Sequence, residues 1–441
     1  MRLSGWGNFP VVDCRLVTCR GSADLQRLLG QDTTLIPRGN GRAYGDAALN
    51  PELTVSMLGL DRFLSFDAEN GRLTCEAGVL LRDLLAVFVP RGWFPAVAPG
   101  TKFVTIGGMV AADVHGKNHH LAGSFARYVE ALELALADGS LVASSRHEHP
   151  ELFAATLGGM GLTGLILTVT SRLIPIETAY IRQETFKARD LAEVMEHFET
   201  SADWTYSVAW VDCLASGQNR GRGLFYRGEH ASRAELPAAV RAQPLLVAPK
   251  RTKRVPVYLP GATLNGLTVR AFNALYYRLG AAANQTIIVD YDTFFFPLDN
   301  LLEWYRIYGR RGLAQYQCVL PKQASRAGLR ALLERVAKSG EGSFLAVLKL
   351  FGPQEGLLSF PMEGYTLALD FPVRTKTLNL LDELDEIVAH HGGRVYLAKD
   401  ARMKPMYLER GYPALGRFRQ IREEAGAHRK FESALSRRLE L

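Results

Sequence analysis

Six residues, His115-Gly116-Lys117-Asn118-His119-His120, bring three imidazoles and one ammonium together. Neutral imidazoles and desolvated lysines can take protons, and clustered histidines can also hold a divalent metal. Gly116 breaks the helix that an i, i+4 histidine pair needs, and no carboxylate stands ready to complete a ligand set. The run therefore predicts a polar bed for a cofactor ring, with no metal. Pro99-Gly100-Thr101 and Thr105-Ile106-Gly107-Gly108, just upstream, add small residues and hydroxyls to it. A second glycine turn comprises Arg38, Gly39, Asn40, Gly41, Arg42, Ala43, Tyr44, Gly45 and Asp46. Glycines there let backbone N–H groups approach an anion closely, as in a phosphate nest. Its G-x-G-x-x-x-G spacing departs from the nicotinamide-dinucleotide fingerprint, and no long amphipathic helix follows, so a Rossmann site is disfavoured. A third turn, Gly158–Gly164, allows close packing of elements or of a flat ligand. Lys399 by itself reads as a surface lysine at a strand end. The cysteines Cys14, Cys19, Cys75, Cys213 and Cys318 are odd in number and scattered, which predicts free thiols in a reducing compartment.

The elements that must position these groups change in texture along the chain. Up to about residue 180, short strands alternate with glycine turns. Arg72–Ala77 reads as a strand, Leu80–Val89 as a helix, and Ala131–Ala137 with Leu141–Ala143 as a hairpin across Asp138-Gly139. Glu151–Leu157 reads as a short helix and Leu165–Leu173 as a strand. Beyond residue 180 aromatic residues become common, and strands separate helices such as Leu191–Phe198 and Leu329–Ala337. Residues 228–262 show no period and several prolines, which predicts a long mobile loop. Arg394–Ala398 reads as a strand and Phe418–Leu441 as a charged amphipathic helical tail.

At 441 residues with 47% hydrophobic and 22% charged residues, the chain suits a soluble protein of two domains or two lobes. Its apolar runs fall short of the roughly 18–20 residues of a membrane span, and Met1–Trp6 does not resemble a secretory signal. The net charge of +7 is mild. It is densest at Lys250, Arg251, Lys253 and Arg254, where anionic partners could be attracted. Nothing beside that cluster resembles a nucleic-acid-binding motif, so no nucleic-acid partner is expected.

Taken in order, the three turns resemble the vanillyl-alcohol-oxidase (PCMH) type of FAD-binding fold. Longer segments resemble one family within it, the flavoprotein oxidase subunits of decaprenylphosphoryl-β-D-ribose 2′-epimerase. Those segments include Leu3–Gly7, Arg38–Asp46, Asp113–His120, Ala209–Asp212, Gln315-Tyr316-Gln317, Lys349–Gly352, Asp370-Phe371-Pro372, Tyr396–Asp400 and Arg437–Leu441. The resemblance runs the whole chain and is most specific around His115.

It implies an α+β fold: a two-lobed PCMH-type FAD-binding domain made of residues 1–178 and 394–441. A substrate domain on an antiparallel sheet, 179–393, is inserted between them. Arg38–Asp46 would cradle the pyrophosphate. Gly100, Thr105, Ile106, Gly107, Gly108, Ala112, Asp113, Val114 and His115 would line the flavin, with Ile166 and Tyr396. Trp210, Phe295, Leu298, Gln317, Lys349, Phe351, Thr366 and Lys399 would line the substrate pocket. Lys399 matches the family's active-site lysine, with His115 and Lys117 as the other candidates for moving the proton. Many flavoproteins of this fold bond the flavin to a histidine in the first loop; here that loop offers Tyr44, so FAD held without a covalent bond is implied. Two positions depart from the family. Ala368 stands where mycobacterial members carry cysteine, and Thr366 where asparagine is common.

The implied reaction oxidises the 2′-hydroxyl of a polyprenylphosphoryl-β-D-ribofuranose to a ketone, with quinone or dioxygen as electron acceptor. A partner NAD(P)H-dependent short-chain reductase would complete epimerisation to the arabinose form. The implied location is the cytoplasmic side of the inner membrane, peripherally bound, with the periplasmic face left open. Two other readings stand beside it: an oxidase of a soluble sugar, alditol or nucleoside, and a non-catalytic lipid-carrier protein that keeps only the fold.

Overall fold

The computed structural model describes residues 1–261, 263–280 and 285–441. Its largest element is an eight-stranded antiparallel sheet. The strand order is Thr286–Asp290, Tyr180–Ala188, Gly223–His230, Tyr206–Val211, Ala346–Phe351, Gly364–Pro372, Leu313–Pro321 and Arg394–Val395. Side chains alternate across a strand, so each strand serves two faces. Cys318, Leu320, Leu348, Leu350, Leu367 and Leu369 belong to the apolar core, together with Leu329, Leu332 and Val336 of the helix Lys322–Ser339 and Leu380 and Leu384 of the helix Thr375–His390. The intervening residues, among them Gln315, Gln317, Lys349 and Thr366, turn to the other face and line a cavity.

The second lobe carries a six-stranded antiparallel sheet and a small parallel sheet of Leu16–Thr18, Thr54–Ser56 and Ile36–Arg38. The hairpin read from Asp138-Gly139 is present as Val129–Ala135 paired with Leu141–Ser145. Leu165–Pro175 lies between strands Arg72–Glu76 and Val129–Ala135, and the expected helix at residue 80 spans Leu81–Phe88. The end of the chain returns to this lobe. Leu35 bridges to Phe431, Asn50 donates to the Glu432 carbonyl at 2.7 Å, and Arg438 lies 2.8 Å from Asp46 and 2.9 Å from Asp400.

Two stretches differ from the sequence reading. The expected loop 228–262 is mainly irregular but holds short regular pieces. Residues to His230 complete a strand, Ala238–Arg241 is a helical turn, and Lys253–Arg254 pairs in parallel with Leu301–Leu302; residue 262 lies outside the described residues. The tail is not one helix. Gly426, at φ +63°, separates the helix Leu415–Glu424 from a short turn and the helix Ala434–Leu439. That left-handed conformation costs glycine little and interrupts helical hydrogen bonding. No helix among the described residues is long and apolar enough to cross a membrane.

Candidate active site

A cavity of about 1030 Å³ runs between the large sheet and the second lobe. Its floor is the turn Gly39–Tyr44 together with Thr105, Gly107 and Gly108. Thr105 caps the helix Ile106–Ala111 by accepting from the Gly108 N–H. A Cβ on Gly39 would come within 2.2 Å of the Thr105 hydroxyl, so glycine at this position leaves the Thr105 side chain its place. Asn40 pins the turn by donating to the Phe103 carbonyl at 2.8 Å. The Arg42 guanidinium stacks on Trp6 at 4.0 Å and on Phe103 at 5.1 Å. Its buried Nε has no hydrogen-bond partner among the described residues.

The roof follows from strand register. Gln317 pairs with Ala368, Ala368 with Val347, and Val347 with Trp210, giving a row across four strands. Lys349 pairs with Thr366 in the neighbouring row. Gln317 uses its amide twice, toward Thr366 Oγ1 at 3.2 Å and His115 Nε2 at 2.9 Å, and Thr366 donates to the Cys318 carbonyl at 2.8 Å. His115 Nδ1 is buried and has no hydrogen-bond partner among the described residues. Tyr396 braces the adjoining wall by donating to the Ala112 carbonyl at 2.8 Å.

Three ammonium groups share this interior. Burial, helped by Lys349, pulls the Lys117 pKa to about 7. Burial pulls Lys349 to about 8. Lys399 is also lowered by burial, while Asp370 opposes the shift and Lys349 adds to it. His115 is driven well below its ordinary value by burial, then by Lys349, His119 and Lys399, so its ring stays neutral. The Lys117 ammonium donates to the Phe294 carbonyl and lies 4.1 Å from the Phe294 ring. The Lys399 ammonium rests 3.9 Å from the Tyr44 ring and makes no hydrogen bond to a described residue. Behind it lies Asp370, fully buried, with Gln315 donating to Oδ1 and no partner for Oδ2 among the described residues.

Most residues singled out in the sequence line this cavity. From the first turn these are Gly39, Asn40, Gly41, Arg42, Ala43 and Tyr44; from the second, Gly100, Thr105, Gly107, Gly108, Ala112, Val114, His115 and Lys117. Ile166, Trp210, Phe295, Leu298, Gln317, Lys349, Thr366, Tyr396 and Lys399 complete the set. Six others lie outside the lining. Arg38 is turned toward the Ser4 and Ala48 carbonyls, and Asp46 is paired with Arg438. Asp113 is buried among Ser124, Ser359 and the Ala126 N–H. Gly45 packs against the Asp400 backbone, Ile106 sits in the lobe's core, and the Phe351 ring stands against His115 at 4.7 Å and His119 at 4.5 Å. His119 bonds Gln354 and His120 the Trp204 carbonyl, so the three imidazoles take separate partners. Gln315, Asp370 and Trp6 were not singled out as site residues. Gln315 carried a usable signal, since it lies two residues before Gln317 and so shares its face.

The residues present fit FAD. The glycine cradle admits backbone donors, the unpartnered Arg42 Nε favours a pyrophosphate, and Val114, Met160 and Ile166 offer apolar walls for a flat ring. A family model described as an FAD binding domain matches residues 16–145. The decaprenylphosphoryl-β-D-ribose oxidase of Mycolicibacterium smegmatis is 35% identical, over 100% of this chain and 97% of that protein. This chain belongs to the decaprenylphosphoryl-β-D-ribose oxidase family. It is an FAD-dependent oxidoreductase of the kind that acts on a CH–OH group. The likeness to L-gulonolactone oxidase of Bos taurus, 31% identical over 37% of this chain and 36% of that protein, is confined to a smaller part. The match to the ribose oxidase, by contrast, spans the whole chain, the sheet roof included.

Proposed function

We propose that this enzyme oxidises the 2′-hydroxyl of a polyprenylphosphoryl-β-D-ribofuranose to the 2′-ketone. One observation carries this reading beyond the family's cofactor: the cavity is polar at its inner end and aromatic at its mouth. Gln317 and Thr366 are buried in the lining beside Lys349 and Lys399, whereas Phe272 and Tyr276 of the same lining are exposed and pack on Phe344 and Trp210. A sugar phosphate joined to a lipid needs that order.

When bound, FAD supplies the acceptor for the hydride that leaves the carbinol carbon. The chain must hold the sugar and take the hydroxyl proton. We assign that proton to Lys399. Its Nζ is uncommitted, whereas Lys117 is spent on the Phe294 carbonyl and His115 Nε2 on Gln317. Burial favours its neutral form, which has the lone pair a base requires. Gln317 and Thr366 orient the sugar, and Lys349 faces its phosphate. Arg42 and the Gly39–Tyr44 turn hold the pyrophosphate, and His115, Ile166 and Tyr396 the flavin. The first and last parts of the chain, 1–178 and 394–441, form the FAD-binding domain around the inserted 179–393. The ketone then passes to an NAD(P)H-dependent short-chain reductase, and the electrons to quinone or dioxygen, at the surface of the inner membrane.

Anaerobic addition of a polyprenylphosphoryl ribose should bleach the visible flavin band, while free ribose and alditols leave it unchanged. Bleaching by alditols but not by the lipid-linked sugar would transfer the assignment to a soluble substrate.

A further inference from the structure

The helix Gly266–Leu279 is built the wrong way round for a helix on a water-facing surface. Its inner side places Val269 and Asn273 against the protein. One flank supplies Phe272 and Tyr276 to the cavity mouth, where Tyr276 meets the Trp210 ring at 4.8 Å and Phe272 meets Phe344 at 5.5 Å. Its outward side carries Leu267, Leu275 and Leu279, which are 80%, 55% and 70% exposed. Exposed leucines grouped on one helix face mark a surface with a partner. The surrounding charge names the partner's sign. Arg251, Lys253, Arg270 and Arg278 are exposed and take no acidic partner among the described residues, whereas Lys250 is paired with Asp290 and Asp292 and Arg254 with Glu303. Arg270 and Arg278 are exposed on the helix itself, and Arg254 lines the cavity mouth.

We propose that the outward face of Gly266–Leu279 docks on an anionic lipid bilayer, with the leucines at the acyl boundary and the arginines at the headgroups. Apolar burial and headgroup attraction act together in such interfacial helices. A neutral apolar partner would gain nothing from the exposed, unpaired Arg251, Lys253, Arg270 and Arg278. Because Phe272 and Tyr276 open into the cavity from the same helix, docking sets the mouth against the bilayer. A lipid-linked sugar could then enter without its chain crossing water. The substrate half of this argument rests on the function proposed above; the docking half does not.

The FAD-loaded enzyme is tested by flotation with vesicles of phosphatidylglycerol and phosphatidylcholine. It should float with them, less so as salt screens the headgroups. The double substitution Leu275→Glu with Leu279→Glu should lower partitioning by about tenfold or more. Neither residue lines the cavity, so flavin content and bleaching by a short-chain, water-soluble polyprenylphosphoryl ribose should stay as in the parent. Failure of the parent enzyme to float, or equal flotation of the double variant, overturns the proposal. So does a parent dimer in sedimentation that the substitutions split, since the face would then belong to a second copy. Loss of flotation in the variant, with no bleaching of either enzyme by the short-chain sugar, leaves the docking face standing and removes only the substrate assignment.

Discussion

The two faces of the eight-stranded sheet are built from alternate residues of the same strands, and they follow opposite rules. Toward the helices, Leu348, Leu367 and Cys318 meet Leu329, Leu380 and Leu384 in a close-packed apolar layer. Toward the cavity, their immediate neighbours are Lys349, Thr366 and Gln317. Burial on the first face stabilises the fold, by about 25 cal/mol per Å² of apolar surface. Burial on the second disfavours the charged forms of three lysines. A sheet can accept such a face only because its other face secures it. The lesson is a division of labour within single strands: one side provides stability, and the other uses that stability to keep reactive groups desolvated.

The largest separation of the two faces should come from Lys399→Met. Turnover should fall by about 100- to 10,000-fold, with FAD retained and thermal stability unchanged or raised, since an ammonium leaves a site that disfavours its charge. Single-turnover flavin reduction and a melting curve check both halves; a loss of activity that merely follows a loss of folded protein would erase the distinction. Leu348→Ala on the helix face should do the reverse. It should cost about 2–5 kcal/mol of stability, while turnover per folded, flavin-loaded molecule stays within about twofold of the parent by the same single-turnover assay.

Asp370→Asn should tune the cavity face without dismantling it. The Asp370 carboxylate favours the charged form of Lys399, so its removal lowers the lysine pKa further. The base is then neutral at lower pH. The acid limb of the pH–rate profile, along which turnover rises as Lys399 loses its proton, should move down by about one pH unit. A limb that moves upward or stays fixed would exclude Lys399 as the group being titrated. Smallest of all should be Ala368→Cys, in the middle of the Gln317–Ala368–Val347–Trp210 row. Turnover should change by less than about threefold, as expected for a small side chain added beside open space. The enzyme should gain a cavity thiol that reacts with an electrophilic pocket ligand, whereas the parent's five cysteines are all buried; mass spectrometry after labelling reads the difference. The cofactor can be checked alongside: acid precipitation should release all of the yellow colour into solution, because the first turn offers Tyr44 and no histidine.

Much of this division was legible in the sequence. Lys349 and Gln317 stand out as polar residues inside apolar runs, and period-2 alternation alone sends them to the face opposite their neighbours. The glycine turns and the His115 run mark the floor of the cavity. What stayed hidden depends on long-range pairing. Asp370 looks like an ordinary strand residue until register sets it across from Gln315. Lys253–Arg254 has no period of its own and becomes a strand only because Leu301–Leu302 arrives beside it. The helix Gly266–Leu279 was also unread, because its leucines point away from the protein and give no clue to a core.

The return of the chain's end to its beginning also sets a clock. Arg438 closes on Asp46, at the end of the glycine turn, across a sequence separation of 392 residues. At a synthesis rate of about 5–20 residues per second, the turn waits roughly 20–80 s for its last bracing partner. The cradle is therefore made well before it is finished, so the cofactor should be captured only after Arg438 has left the ribosome.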